Sequence, residues 1–385
     1  MNRFLGAAGL DDEHLERART LREDLHAHPE LSLQERRTQR RIAEDLVALG
    51  LKPRVVAETG LVADLAASPV LCLRADIDAL PITEATGVSF SSTVPGVAHA
   101  CGHDVHASAL IGATSILVRD SPAIRVLFQP AEERGIGARR CVADGACDGI
   151  AAVFGGHLDL DYPVGTVALQ AGPMCASTDQ FTITVRGRAS HAARPHKGVD
   201  AILCGARIVD ALQGIVAREV EPGQPAVITV GVFRAGERSN ILAGEATLQG
   251  TIRSGSPEVR VQLRSAVPRV CAGIAAACGA EVQFTLEPGH DPVVNDAALV
   301  DAVVAAFRAS GIHVVRLARA NTGGEDFSDL LVGRRGVYLR WGASGAGART
   351  DPAHSGGFLP DPRVLDVAVA GYVAAARALL AELGR

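Results

Sequence analysis

Three short apolar runs, each followed at once by a polar cluster, constrain this chain more than any other feature. Val70–Leu73 runs into Arg74-Ala75-Asp76-Ile77-Asp78, Ile124–Phe128 into Gln129-Pro130-Ala131-Glu132-Glu133, and Ile150–Phe154 into Gly155-Gly156-His157. Runs of this kind, apolar without alternation, are strands buried on both faces, and helical stretches such as Asp104–Val118 separate them. The pattern predicts an α/β fold with a mostly parallel sheet covered by helices. In such sheets ligands bind beyond the carboxyl ends of the strands. Each strand end here supplies an acid or a histidine, so a site is expected there.

From about residue 177 the rhythm changes. Gln180–Val185 alternates as a strand, Val199–Ala217 reads as a helix, and Ala226–Phe233 and Ala246–Arg253 read as strands. Pro257–Cys278 is a helix and Ala280–Leu286 a last strand. The order β-α-β-β-α-β is the split βαβ, ferredoxin-like unit. After Pro288 the first pattern returns with helix Ala297–Ala309, strand Gly336–Leu339 and helix Val364–Leu383. The simplest organisation is a discontinuous domain, residues 1–176 and 290–385, interrupted by an inserted domain over 177–289.

Composition removes several classes of function. Against 43 acidic residues stand 38 basic ones, and a net charge of −5 leaves no footprint for nucleic acid or an anionic membrane. No uninterrupted apolar run reaches the ~18 residues of a membrane span, and MNRFLGAAGLDDEH is too short in apolar residues for a leader. A cytoplasmic protein is expected. Lys52 and Lys197 are the only lysines; neither lies in a P-loop, and both sit in polar turns unsuited to Schiff-base chemistry. The eight cysteines include no CxxC pair, and a chain of this size and compartment is not expected to carry a disulfide framework.

Cys101-Gly102-His103-Asp104, flanked by His99 and His106, opens a helix. Cys and His two apart cannot face one direction inside a regular helix, but they can at its entrance. The segment reads either as metal-ligating or as a helix start with Asp104 as its N-cap. Glu132-Glu133 reads either as a solvated acidic pair or as one ligand and one general base pointing elsewhere. His157 and His354 taken singly are loop histidines. Together these segments suit a closely spaced pair of divalent ions.

The chain resembles the M20 metallopeptidase family, in its amidohydrolase branch of hippurate hydrolases, N-acyl-amino-acid deacylases and plant indoleacetyl-amino-acid hydrolases. The resemblance rests on HAHPELSLQE (26–35), LRADIDALPITE (73–84), HACGHDVHAS (99–108), FQPAEE (128–133), GGHL (155–158), GRASHAARPHKGVDA (187–201), RSNILAGEATLQGTIR (238–253), GGEDFS (323–328) and AHSGGF (353–358). It implies that Cys101, His103, Glu133, His157 and His354 hold two divalent ions per subunit, zinc or manganese, with cobalt or nickel also accepted. Cys101 would bridge them, and Glu132 would be the general base. Asp78 would orient a ligand. Asp76 stands where other branches place a ligating histidine, a role that would pass to His103. In the inserted domain, His191 would polarise the scissile carbonyl beside Asn240, and Arg253 would grip the carboxylate of an N-acyl amino acid. A homodimer through that domain is implied as well. Arg134 departs from the glycine common after the glutamate pair. An aromatic content of only 4% argues against a pocket built for a large aromatic acyl group.

Three rivals follow from the same residues. A dipeptidase or carboxypeptidase of the family would share the metals. A cysteine hydrolase would use Cys101 as nucleophile and ignore chelators. A carrier with a dead site would have lost a ligand or Glu132, and the set is complete.

Overall fold

A computed structural model describes residues 11–120, 122–317, 320–321, 323–348 and 351–384; most of the N-terminal stretch read above for a leader lies outside them. The strands in chain order are β1 Arg54–Val56, β2 Gly60–Asp64, β3 Leu71–Asp76, β4 Ile124–Gln129, β5 Ala152–Pro163, β6 Thr166–Leu169, β7 Gly172–Cys175, β8 Asp179–Arg186, β9 Ser190–His191, β10 Ala226–Ala235, β11 Ile241–Leu242, β12 Glu245–Ser254, β13 Glu281–Pro288, β14 Val293–Asn295, β15 His313–Arg316 and β16 Arg335–Ser344. The chain divides into two compact units, one of residues 1–174, 294–319 and 326–385, the other of 175–293 and 320–325.

The first unit holds an eight-stranded sheet of order β1-β2-β4-β3-β5-β16-β6-β15. Its centre, β4-β3-β5-β16, is parallel, as the apolar runs require. Both β3 and β4 are buried at all six positions. Helices Asp12–Ala27, His103–Leu117, Ala297–Ala309 and Val364–Glu382 pack on one another and on the sheet. Every residue of His103–Leu117 is buried, so this helix has no solvent face. Val364–Glu382 is apolar enough to cross a membrane by length and composition, yet 72% of it is buried inside the fold, as a core helix is. The sheet is mixed at its flanks, where β1–β2, β2–β4 and β6–β16 run antiparallel. Those short flanking strands carry too little periodicity to be read from sequence.

One strand runs longer than its sequence pattern suggests. Gly155-Gly156 reads as a break after Phe154, but β5 continues to Pro163 and carries His157 in its middle. The glycines serve close packing. A Cβ at Gly155 would lie 2.9 Å from the Phe327 ring, and one at Gly156 2.6 Å from Leu339 Cδ1.

The second unit is a four-stranded antiparallel sheet of order β10-β12-β8-β13 with helices Ala201–Arg218 and Pro257–Cys278 packed against it. Element order is β8, helix, β10, β12, helix, β13, with β9 and β11 as a small separate ladder. Phe181, Ile183 and Val185 alternate inward along β8 and meet Leu212, Leu248 and Leu263 in one apolar core. Asp200 and Ser256 cap the two helices by accepting from Leu203 N–H and Val259 N–H.

At the end of this sheet Asp179, fully buried, accepts bonds from Arg260 and Arg264, at 2.7 Å each for the Nη2 atoms, and from Gly289 N–H. Burial opposes its charge, but the two guanidiniums outweigh that and hold its carboxyl at about 2. The folded value lies below the unfolded one, so the stabilisation is complete above about pH 4 and is lost as pH falls towards 2. The shift corresponds to about 2 kcal/mol. Asp179→Asn is expected to lower the melting temperature of the second unit at pH 7 and to flatten its acid-side dependence. Unchanged melting between pH 7 and 3 in the variant and the parent alike would contradict this.

Candidate metal centre

The β3–β5 ladder joins Leu71–Leu73 to Ala152–Phe154 and stops there. Past that point Asp76, His157 and the first turn of the helix His103–Leu117 come together. Gly102 is the N-cap of that helix at φ 91°, and a Cβ on it would lie 2.6 Å from Leu158 Cδ1. Only glycine fits both the left-handed backbone and the close contact. This reversal lets Cys101 and His103 aim at one centre. Asp104 is therefore not the N-cap. Its carboxylate is buried in the first turn, 2.9 Å from His26 Nδ1 and 3.5 Å from Arg22 Nε.

Cys101 Sγ lies 3.1 Å from His157 Nε2 and 3.4 Å from His354 Nε2, and His354 Nε2 lies 3.3 Å from Glu133 Oε1. His103 Nε2 is 3.9 Å from Glu133 Oε1 and 3.9 Å from Glu132 Oε2. Around a tetrahedral cation with ligands at about 2.0–2.3 Å, donor atoms stand roughly 3.3–3.8 Å apart. The spacings observed here are of that size. Two groups of donor atoms, Cys101/His103/His157 and Cys101/Glu133/His354, each converge within 4.8 Å and share the sulfur.

The remaining atoms of these side chains fix their direction. His157 donates from Nδ1 to the Leu158 carbonyl at 2.7 Å, which leaves the Nε2 lone pair facing Cys101. His103 Nδ1 is 3.3 Å from Asp78 Oδ1. Asp78, 1% exposed, also accepts Ser32 Oγ–H at 2.7 Å and the N–H groups of Glu132 and Glu133 at 3.2 and 3.1 Å. Ala131, at φ 53°, turns the chain so that both amides reach that carboxylate, and its own N–H is held by the buried Glu35 at 2.9 Å. Glu132 and Glu133 therefore both approach His103, where the sequence suggested that one would point away. His354 takes a left-handed φ of 65° and donates its N–H to Ala100 O at 2.8 Å.

His103 Nε2 and Glu133 Oε1 are buried with no hydrogen-bond partner among the described residues. Buried polar atoms are rarely left in that state, and a ligand is one of the accepted reasons. Burial pushes the Cys101 thiol up and the His157 imidazole well down. For His103 burial is outweighed by the Asp76 charge, the bond to Asp78 and the Cys101 sulfur nearby, which raise it well above the usual value. A mixed S, N and O set of this kind fits divalent zinc, manganese, cobalt or nickel.

Residues 72–378 match the family model described as Peptidase family M20/M25/M40. The chain belongs to this family. The expected mostly parallel α/β fold and the expected amidohydrolase-type enzyme of the M20 family both hold. The chain is 40% identical over 333 residues to an N-acetyl-L-cysteine deacetylase of Bacillus subtilis, which covers 84% of this chain and 80% of that one. It is 36% identical over 375 residues to the thermostable carboxypeptidase 1 of Saccharolobus solfataricus, covering 94% and 93%. Among solved structures, a Bacillus subtilis protein described as a dinuclear metal binding peptidase of the M20 family superposes with a TM-score of 0.85 at 33% identity, covering 96% and 99%.

Of the other residues singled out in sequence, His191, Asn240 and Arg253 lie in the second unit. His191 and Asn240 are neighbours through the β9–β11 ladder, where Asn240 O accepts Ala192 N–H at 3.0 Å. Ala193 N–H donates to His191 Nδ1 at 3.1 Å, and the residue is exposed. Arg253 is on β12, and Gly324 packs closely beside it: a Cβ there would lie 3.6 Å from Arg253 Nη1. Sequence reasoning gave no role to Ser32, Glu35, Arg74 or His106. Apart from Arg74–Asp76, their bonds span 30 to 252 residues of chain, which no local pattern signals.

Proposed function

We propose that this M20 hydrolase cleaves the amide bond of N-acyl amino acids with two divalent ions, releasing a carboxylic acid and a free amino acid. The observation that carries the reading is the convergence of Cys101, His103, Glu133, His157 and His354, with Glu132 at its edge. These five side chains would hold the ions, with Cys101 shared between them. When bound, the ions supply Lewis acidity at the scissile amide. Glu132 takes a proton from the attacking water and returns it to the leaving amine. Asp78 holds His103 and both glutamate amides in place. His191, with Asn240, donates to the carbonyl oxygen as it gains charge, and Arg253 pairs with the substrate carboxylate.

Arginine suits that last task because its planar fork pairs both carboxylate oxygens. Arg253→Ala is expected to raise KM strongly for N-acetyl amino acids and much less for the matching amino-acid amides. A charged bidentate contact is worth about 1.5–3 kcal/mol, so kcat/KM for the acid should fall about 10- to 150-fold more than for the amide. Equal losses would make Arg253 structural. The same assay, run with N-acetyl amino acids beside free dipeptides, tests the substrate class. The similarity to the thermostable carboxypeptidase favours a second reading, peptide cleavage at the same centre, and preferential dipeptide turnover would select it.

We also propose a homodimer formed through the second unit, whose edge strands β10 and β13 each have one unpaired side among the described residues. Sedimentation of a single 39.9 kDa species at micromolar concentration would overturn it. A cytoplasmic location is supported by eight cysteines that are all free.

A further inference from the structure

We infer that His106, acting through Leu158, is the positioning residue that aims His157 into the centre. The inference rests on the cation reading proposed above. Leu158 N–H donates to His106 Nε2 at 3.0 Å. A backbone amide can only donate, so Nε2 is the acceptor and the ring proton of His106 sits on Nδ1. That nitrogen lies 2.6 Å from Asp76 Oδ1. The second oxygen of Asp76 accepts from Arg74 Nη1 at 2.7 Å, and Arg74, fully buried, is itself held by Gln129 Oε1 at 2.8 Å and Asp326 Oδ1 at 3.1 Å. A rigid chain of bonds thus runs from β3 to the His106 ring and fixes its tautomer.

Leu158 passes this constraint on. Its N–H is gripped by His106, while its C=O grips His157 Nδ1. Its side chain lies so close to Gly102 that no Cβ fits there, which ties β5 to the entrance carrying Cys101 and His103. The rings of His106 and His157 also meet edge to face at 4.8 Å. Since the β3–β5 ladder has ended four residues earlier, at Phe154, the Leu158 amide depends on a side chain for its bond. Asp76 thus serves His106 through one oxygen and Arg74 through the other.

The test uses two substitutions that divide the ring's functions. In His106→Asn the amide sits near the Nδ1 position and can still donate to Asp76, but nothing reaches Leu158 N–H. In His106→Gln the side-chain oxygen reaches the Nε2 position and can accept from Leu158. Metal-stripped full-length proteins are titrated calorimetrically with Zn²⁺, and with Co²⁺ while the visible absorption is recorded. The parent is expected to take up two ions. His106→Gln should bind within about threefold of the parent, whereas His106→Asn should lose about 10- to 100-fold in affinity for one ion, with altered Co²⁺ bands. In the unsubstituted protein, long-range ¹H–¹⁵N spectra should show His106 as the Nδ1–H tautomer, a readout that needs no variant to fold. Equal losses in both variants, parental binding by His106→Asn, or an Nε2–H tautomer would overturn the inference. Failure of the parent to bind any ion would instead overturn the cation reading.

Discussion

Glu132→Gln is expected to keep its bound ions and to lose about 10²–10⁴-fold in kcat, the usual contribution of a positioned general base. Glutamine matches glutamate in size, so the turn at Ala131 and the two amide bonds to Asp78 survive the change. What disappears is the one carboxylate of the pair that stands in neither sulfur-sharing donor group, although both lie 3.9 Å from His103 Nε2. Glu133 differs, since its Oε1 is buried and faces His354 Nε2 at 3.3 Å inside one of those groups. Glu133→Gln should therefore weaken ion binding as well as turnover. Calorimetric ion titration beside steady-state kinetics separates the two. If the Glu132 variant loses ions and the Glu133 variant keeps them, the roles assigned to the two glutamates are reversed.

The site was legible in sequence to the extent that it lies along strands and at one helix entrance. Buried parallel strands that end together drew attention to Glu132-Glu133 and His157, but it was the family resemblance that joined Cys101, His103, Glu133, His157 and His354 into one set; the helix Pro257–Cys278 could be bounded because Ser256 and Gly279 cap it. Local signals misled where packing decides. Gly155-Gly156 reads as a break, yet Phe327 and Leu339 demand glycine inside a continuous strand. Asp104 reads as a cap, yet its carboxylate is committed to His26 from 78 residues upstream. The supports of the centre were invisible for the same reason. Arg74 meets Asp326 across 252 residues, and Ser32 meets Asp78 across 46, so neither contact leaves a periodic trace.

The cysteine-hydrolase alternative predicts a thiolate poised beside a base. Cys101 is instead buried, with its thiol pushed well up, and the neighbouring His157 is held well below its usual value. That environment suits a sulfur whose proton is displaced by a cation rather than one that attacks unaided.

Removal of the ions should abolish turnover outright. The direct measurement strips the purified protein with a chelator, assays hydrolysis of N-acetyl amino acids, and then restores Zn²⁺, Mn²⁺ or Co²⁺ in turn while ion content is determined. Loss of activity on stripping, with recovery as the content approaches two ions per chain, is the predicted result; undiminished hydrolysis by ion-free protein would contradict it.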